Sequence, residues 1–404
     1  MAFGRLRSVS RYRLYPTPAQ EAGLLEHCGH ARFVWNLAVE QQAWWRPGRG
    51  PAPGYVAQAR QLTEARAAFG WLAAGSQTVQ QALRDFAQAM ANFFAGTHRR
   101  PTWRKAGVRE GFRIVGARGR AWEVRRLSRR VGEVRVPKVG WVRLRWSRPV
   151  PSGVKSFRVT RDRAGRWHVA FAHVPDPVPA PGSGEAVGVD RGVAVSAALS
   201  TGEMRTVPGL TPGEAERLHR LLRRLDRARR GSNRRARVKV AIARLKARET
   251  DRRKDWAEKT STDLARRFDV IAVEDLDVHA MTRSAKGTIE APGTNVRAKA
   301  GLNRSILANG WGRLVTRLEH KAPVRRVDPA YTSQTCNTCG HRARDNRKSQ
   351  AVFRCTACGH QDNADVNAAR NIKDTAVGRT VAARGGGAVA RPVNREPQPV
   401  LLPA

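Results

Sequence analysis

The chain has 404 residues, 41% of them hydrophobic, enough for two or three globular domains. Its formal net charge of +42 excludes a self-contained surface, because so much positive charge repels itself without a polyanionic partner. No run of eighteen apolar residues and no lipidation signal makes that partner a membrane, so nucleic acid is expected.

The N-terminal stretch MAFGRLRSVSRYRLYP lacks the apolar core of a signal peptide. The expected compartment is therefore reducing and intracellular, the cytoplasm. Residues 10–15 partly alternate polar and apolar and predict a strand. Thr17-Pro18-Ala19-Gln20 predicts a helix start, with a capping Thr, a Pro at the first position and a capping Gln. That helix runs on through Leu24, Leu25, Phe33, Val34 and Leu37, and Cys28 within it is expected in the core. Pro and Gly at 46–54 break it. A second helix carries Val79, Leu83, Phe86, Met90 and Phe93 at alternating spacings of four and three.

From about Thr97 to Pro177 the pattern becomes β. Short segments around Phe112–Ile114, Gly132–Val136, Trp141–Trp146 and Phe157–Thr160 alternate, with Arg and Lys largely outward. Asp162–Gly165 is a turn, and Trp167–Phe171 completes a hairpin. The simplest arrangement is a β domain with the earlier helices inserted after its first strand. Val178–Gly184 reads as a linker.

Ala186–Asp190 is a buried strand ending in an acid, and a hairpin over 193–207 follows it. Thr211, Pro212 and Glu214 open a helix with a Leu218, Leu221, Leu222, Leu225 stripe. After Gly231–Asn233 a second stripe runs through Val238, Ala241, Ile242 and Leu245. The other faces are nearly all Arg and Lys, too many for i,i+4 pairing to neutralise, so they are expected to face phosphate. Phe268–Leu276 is a buried strand carrying Glu274 and Asp275. A polar loop over 282–295, one helix over about 300–321 and a short strand at Val324–Val327 come next.

Cys336 and Cys339, then Cys355 and Cys358, form two Cys-x-x-Cys pairs separated by residues 340–354. That spacing suits one tetrahedral zinc rather than two disulfides in a reducing compartment. Gly340 and Gly359 follow each pair, where a metal knuckle needs positive φ. Behind them Asp362 and Asp365 open a last helix, and the chain from about Gly378 is rich in Gly and Pro and expected to be disordered.

This order of elements is that of an RNase H-like domain, and the acids fall where such a fold gathers metal ligands. Asp190, Glu274 and Asp365 are the candidate ligands for two Mg²⁺ ions, which prefer oxygen donors and clamp a scissile phosphate. Asp275 competes with Glu274 for this role, and Asp362 with Asp365. Trp103, Trp256 and Trp311 could stack on bases or simply fill core. No P-loop and no histidine constellation is present.

On RLYPTP at 13–18, VGVDRGV at 187–193, VEDL at 273–276, LNRSI at 302–306 with GWG at 310–312, TSQTCNTCG at 332–340 and DVNAARNI at 365–372, the chain resembles the TnpB (OrfB) family of insertion sequences. These are compact relatives of type V CRISPR effector nucleases. The resemblance spans nearly the whole chain, except the tail and residues 46–70. It implies an α+β, α/β multidomain protein: a wedge-like β-barrel domain (1–16 and 97–180) with a helical recognition insertion (17–96), a RuvC-like nuclease domain (181–327 and 362–377), a zinc ribbon (328–361) and a tail (378–404). It further implies an Mg²⁺-dependent DNA endonuclease guided by RNA from the transposon end, cutting double-stranded target DNA beside a short transposon-adjacent motif. Asp190, Glu274 and Asp365 match the family's catalytic acids. Arg223, Arg224, Arg227, Arg234 and Arg235 are the expected phosphate contacts on the basic helices, with Gln77 and Gln80 in the helical insertion. The alternatives are a nuclease-inactive RNA-guided repressor and a DNA-binding accessory of transposition.

Overall fold

The protein is described from a computed structural model over residues 8–378, except positions 47, 49, 75, 117, 120, 121, 175 and 176, and except the side chains of 8 and 73–77. The expected disordered tail and the side chain of Gln77 lie outside the described residues. The chain divides into two compact units. One comprises the chain up to 185 with 205–269 and 277–323; the other comprises 186–204, 270–276 and the chain from 324.

The first unit is built on a seven-stranded antiparallel sheet. Its strands are β1 (Ser8–Tyr15), β2 (Gly111–Val115), β3 (Glu123–Arg126), β4 (Val131–Val136), β5 (Gly140–Arg145), β6 (Ser156–Arg161) and β7 (Trp167–His173), in the order β2-β6-β7-β1-β5-β4-β3. Alternation decides the faces: Tyr12 and Leu14 of β1 are buried with Val134, Val142, Phe157 and Phe171, while Arg11 and Arg13 turn the other way. The sequence-predicted strands are all present. Strand β3 went unpredicted because it buries only Val124.

Helices α1 (Pro18–Trp44), α2 (Tyr55–Ala68), α3 (Gly70–Ala74) and α4 (Ser76–Phe94) are inserted between β1 and β2. The α1 start is the predicted capping box: Thr17 Oγ1 accepts from the Gln20 N–H, and Gln20 Oε1 accepts from the Thr17 N–H. The buried stripe of α1 is Leu24, Cys28, Ala31, Trp35 and Ala38, with Val34 beside it. Leu25, Phe33 and Leu37, through which the helix was expected to run, lie in it but are exposed, because the four-three spacing from Leu24 passes them by. Helices α2 and α3 follow the predicted break and were not read from the sequence, since α2 buries only Gln58 and Leu62.

The same unit holds α5 (Pro212–Arg227), α6 (Asn233–Arg267), α7 (Val278–Met281), α8 (Val296–Asn309) and α9 (Trp311–Glu319). Thr211 and Glu214 form the expected box at α5. The single helix expected over 300–321 is two helices, because Gly310 adopts φ +67 and turns the chain between α8 and α9. Just beyond α9, the Lys321 ammonium donates to Glu258 Oε2 (2.9 Å), Ser261 Oγ (2.7 Å) and Thr262 Oγ1 (2.9 Å), fastening the end of α9 to α6. Trp311 is core, whereas Trp103 is exposed and Trp256 half-buried. Among the described residues, no helix is long and apolar enough to cross a membrane.

The second unit has a five-stranded sheet of β8 (Ala186–Asp190), β9 (Ala197–Leu199), β10 (Met204–Arg205), β11 (Val270–Glu274) and β12 (Val324–Val327), ordered β10-β9-β8-β11-β12. Strands β8, β11 and β12 run parallel, and β9 runs antiparallel to β8. The predicted hairpin is present but shorter, with 191–196 irregular. A small ribbon, β13 (Val352–Arg354) with β14 (Gln361–Asn363), leads directly into α10 (Ala364–Val377).

Candidate active site and metal centre

In the parallel pair of β8 and β11, Val189 stands opposite Val273. Asp190 and Glu274 are the next residues, so equal register sets them side by side on strands about 4.8 Å apart. They occupy the carboxyl ends of parallel strands, where open α/β sheets collect ligands. Asp365 comes to them from α10. Asn363 caps that helix, its Oδ1 accepting from the N–H groups of Asp365 (3.0 Å) and Val366 (3.2 Å).

The approach of α10 depends on Gly188. A Cβ there would lie 1.9 Å from the Ala369 carbonyl oxygen and 2.7 Å from the Lys373 nitrogen, both backbone atoms of α10. No rotamer relieves such an overlap, so Gly188→Ala must push the helix off β8. The expected result is a lower unfolding temperature and loss of whatever activity needs Asp365, and thermal scanning of the purified variant checks the first.

The acids are poised for a cation. Burial first, then the charges of Glu274 and Asp365, push the Asp190 carboxyl up to about 7. Burial also raises Glu274, against the opposing pull of the Thr332 hydroxyl and Arg191. Thr332 Oγ1 donates to Glu274 Oε1 at 2.7 Å, Arg191 donates to the Glu274 backbone carbonyl, and Arg347 Nη2 donates to Asp365 Oδ1 at 3.0 Å. An all-oxygen donor set whose mutual repulsion Arg347, Thr332 and Arg191 relieve only in part fits Mg²⁺. The two competing acids have other partners: Asp275 is exposed and pairs with Arg326 (2.7 Å), and Asp362 pairs with Arg370 (2.6 Å).

The four predicted zinc ligands do meet. The sulfurs of Cys336, Cys339, Cys355 and Cys358 all lie within 4.8 Å of one another, with Cys336–Cys358 at 3.8 Å and Cys339–Cys355 at 3.6 Å. A disulfide needs about 2.05 Å, whereas four thiolates about 2.3 Å from one zinc stand roughly 3.8 Å apart. The cluster therefore fits a structural zinc and not two bridges. Gly340 (φ +78) and Gly359 (φ +74) each return an N–H to the carbonyl of Cys336 or Cys355, closing the two knuckles.

This ribbon is stitched to the acid site. On α10, Asn371 Nδ2 donates to the carbonyls of Thr332 (2.8 Å) and Thr335 (2.7 Å), and Asn367 Nδ2 donates to Thr335 (2.8 Å). The Asn337 N–H of the first knuckle donates to Asn367 Oδ1 at 3.0 Å. Thr332, Arg347, Asn367 and Asn371 were all missed in the sequence. Asn367 and Asn371 gave a faint signal, as amides four apart on a helix that also carries Val366, Ala368, Ala369 and Ile372; Arg347 gave none.

Of the expected phosphate contacts, Arg223, Arg224, Arg227 and Arg234 are exposed. Arg235 is half-buried and donates to the Leu225 and Ala228 carbonyls, closing the end of α5. Gln80 donates to the Tyr55 hydroxyl at 2.9 Å.

Comparison with known proteins places this geometry. Profiles described as "Probable transposase", "Cas12f1-like, TNB domain" and "Helix-turn-helix domain" match residues 168–285, 311–372 and 7–50. The described part of that last span is β1 and one unbroken helix rather than two helices. "Putative RNA-guided DNA endonuclease InsQ" of Escherichia coli (strain K12) is 36% identical over 97% of this chain and 97% of its own length. The chain belongs to the TnpB (OrfB) family. A "Putative RNA-guided DNA endonuclease" of Streptomyces pristinaespiralis is a second full-length relative of this TnpB chain, at 32% identity over 95% of the chain and 92% of its own length. Among solved structures, a Cas12f1–sgRNA–target DNA complex aligns with a TM-score of 0.53 and 13% identity, covering 91% of this chain and 98% of that one. This chain thus shares the α+β multidomain fold of the protein in that complex.

Proposed function

We propose that this chain is an RNA-guided, Mg²⁺-dependent DNA endonuclease of an insertion sequence, with a RuvC-like active site formed by Asp190, Glu274 and Asp365. The observation that carries the reading is that register sets Asp190 and Glu274 side by side at the carboxyl ends of parallel β8 and β11, with the charge of Asp365 from α10 felt at Asp190. Full-length similarity to relatives named as RNA-guided DNA endonucleases supports it. On this reading 1–16 with 97–180 is the wedge-like β domain, 17–96 the recognition insertion, 181–327 with 362–377 the nuclease domain, and 328–361 the zinc ribbon.

The three carboxylates would hold the Mg²⁺ ions. Bound there, the metal supplies a water nucleophile and charge stabilisation at the leaving 3′ oxygen. The remaining groups are the chain's own. Thr332 fixes one Glu274 oxygen and leaves the other free to bind. Asn363 holds the first turn of α10, and so fixes where Asp365 starts. Arg347 pairs with Asp365, and its guanidinium is a group that could also engage a phosphate. Exposed arginines of α5 and α6 supply the phosphate-facing surface, and the cysteines hold a structural zinc.

The test is to express the chain together with its transposon end, sequence the RNA that co-purifies, and offer the complex plasmids bearing a matching target beside randomised flanks. Mg²⁺-dependent double-strand cleavage next to one short flank is the expected result. Protein that carries no RNA, or that binds target and leaves it intact at every flank, overturns the proposal.

A further inference from the structure

The first unit holds a cationic cluster that the site above does not use. Arg11 and Arg13 project from the β1 face opposite the buried Tyr12 and Leu14, and Arg13 is paired across the sheet with His168 of β7. The turn after β6 lies against this face: Asp162 Oδ2 accepts from Arg166 Nε at 2.7 Å and lies 3.2 Å from His168 Nε2. Helix α6 joins it through Asp251, whose Oδ2 accepts from Arg166 Nη1 at 2.7 Å. Lys254, on the next turn of α6, feels Arg11, Arg166, Asp251 and also Arg313 of α9.

The charges in this cluster do not balance. Asp162 and Asp251 are both engaged by Arg166. The side chains of Arg11, Arg13 and Lys254 make no hydrogen bond or ion pair among the described residues, and the Nε atoms of Arg11 and Arg13 are buried without a partner. His168 cannot help, since burial, opposed by its Asp162 hydrogen bond, holds its imidazole neutral down to about 4. Burial above all lowers the pKa of Arg11, Arg13 and Lys254, and neighbouring cations add to it, while Asp162 and Asp251 pull the other way. Partly buried cations without carboxylates cost stability unless an anion completes them. Two guanidinium forks on one face of β1, with the Lys254 ammonium of α6 close enough to feel Arg11, offer the donors that phosphodiester oxygens take.

We propose that Arg11, Arg13 and Lys254 form a phosphodiester-binding site where β1 meets α6, taking a backbone phosphate of the nucleic acid this protein carries. The proposal rests on the nucleic-acid reading above and adds a specific site to it. Guide RNA and target DNA offer the same group, so the experiment uses both.

Full-length Arg11→Gln, Lys254→Gln and the double variant are compared with wild type in binding to the RNA that co-purifies with wild type and to a DNA duplex of equal length, across a salt series. For one of the two probes, each variant should weaken binding several-fold and flatten the log–log salt slope by about 0.7 to 0.9. The probe affected names the strand. The unfolding temperature of nucleic-acid-free protein should stay level or rise, because repulsion is relieved. Lys254→Arg should restore the slope. Unchanged slopes with both probes overturn the proposal, as does a fall in the unfolding temperature of both free single variants, which would make the cluster structural. If wild type binds neither probe, it is the nucleic-acid reading that fails.

Discussion

Alanine at Asp190, Glu274 or Asp365 is expected to lower Mg²⁺-dependent cleavage by at least about 10²–10³-fold, the scale on which one preorganised electrostatic contact counts in catalysis. RNA and target binding should stay nearly intact, because pairing and a basic surface supply them. Asp275→Ala and Asp362→Ala are the controls, since their carboxylates are taken by Arg326 and Arg370. Thr332→Val, which frees the Glu274 oxygen, should cost about 10–100-fold, as outer-shell partners of metal ligands do. The acids also set a pH dependence. Asp190 titrates at about 7 in the metal-free fold, above its unfolded value, so its protonated form favours folding below that value. This contribution is lost as pH rises through about 7. Metal-free protein should therefore soften toward pH 8, and Mg²⁺ should raise its unfolding temperature more at pH 8 than at pH 5.5. Cleavage at wild-type rate by all three alanine variants would remove these acids from the mechanism.

Stripping zinc is expected to disable the acid site as well as the ribbon. Purified protein should contain about one zinc per chain, and Cys339→Ser or Cys355→Ser should lose it. The free energy of a structural zinc, about 10–16 kcal/mol in small fingers, goes largely into folding the ribbon. Here the ribbon segment also carries Thr332 to Glu274, Arg347 to Asp365, and Thr335 to the α10 asparagines. Zinc-free protein should bind Mg²⁺ more weakly by calorimetry and be cut by proteases between 336 and 361. If it keeps wild-type Mg²⁺ affinity, the two centres are independent.

The sequence announced what local chemistry dictates. The cysteine spacing, the two capping boxes and the acids at the ends of apolar strands are each readable from a few adjacent residues. Gly310 shows the limit: nothing in GWG distinguishes a tolerated helical glycine from one that adopts φ +67 and splits the helix. Arg347 and Thr332 were beyond reach for another reason. Their importance lies in residues 18 and 58 positions away, and only the folded ribbon brings them together. The basic helices were legible as charge, but not the use of Arg235 to close α5.

The composition of the second unit from three separated segments has a temporal meaning. Asp190 is made long before Asp365, and β8 has no α10 across Gly188 until the chain is nearly finished. At roughly 5–20 residues per second, about 10–35 s of synthesis separate the first carboxylate from the last. The strands of the seven-stranded sheet, β1 to β7, are all complete by His173. A nascent chain thus completes its seven-stranded sheet well before it has the helix that brings Asp365 to β8, and a chain that stops short of residue 364 has the two parallel strands of the acid site without their third carboxylate.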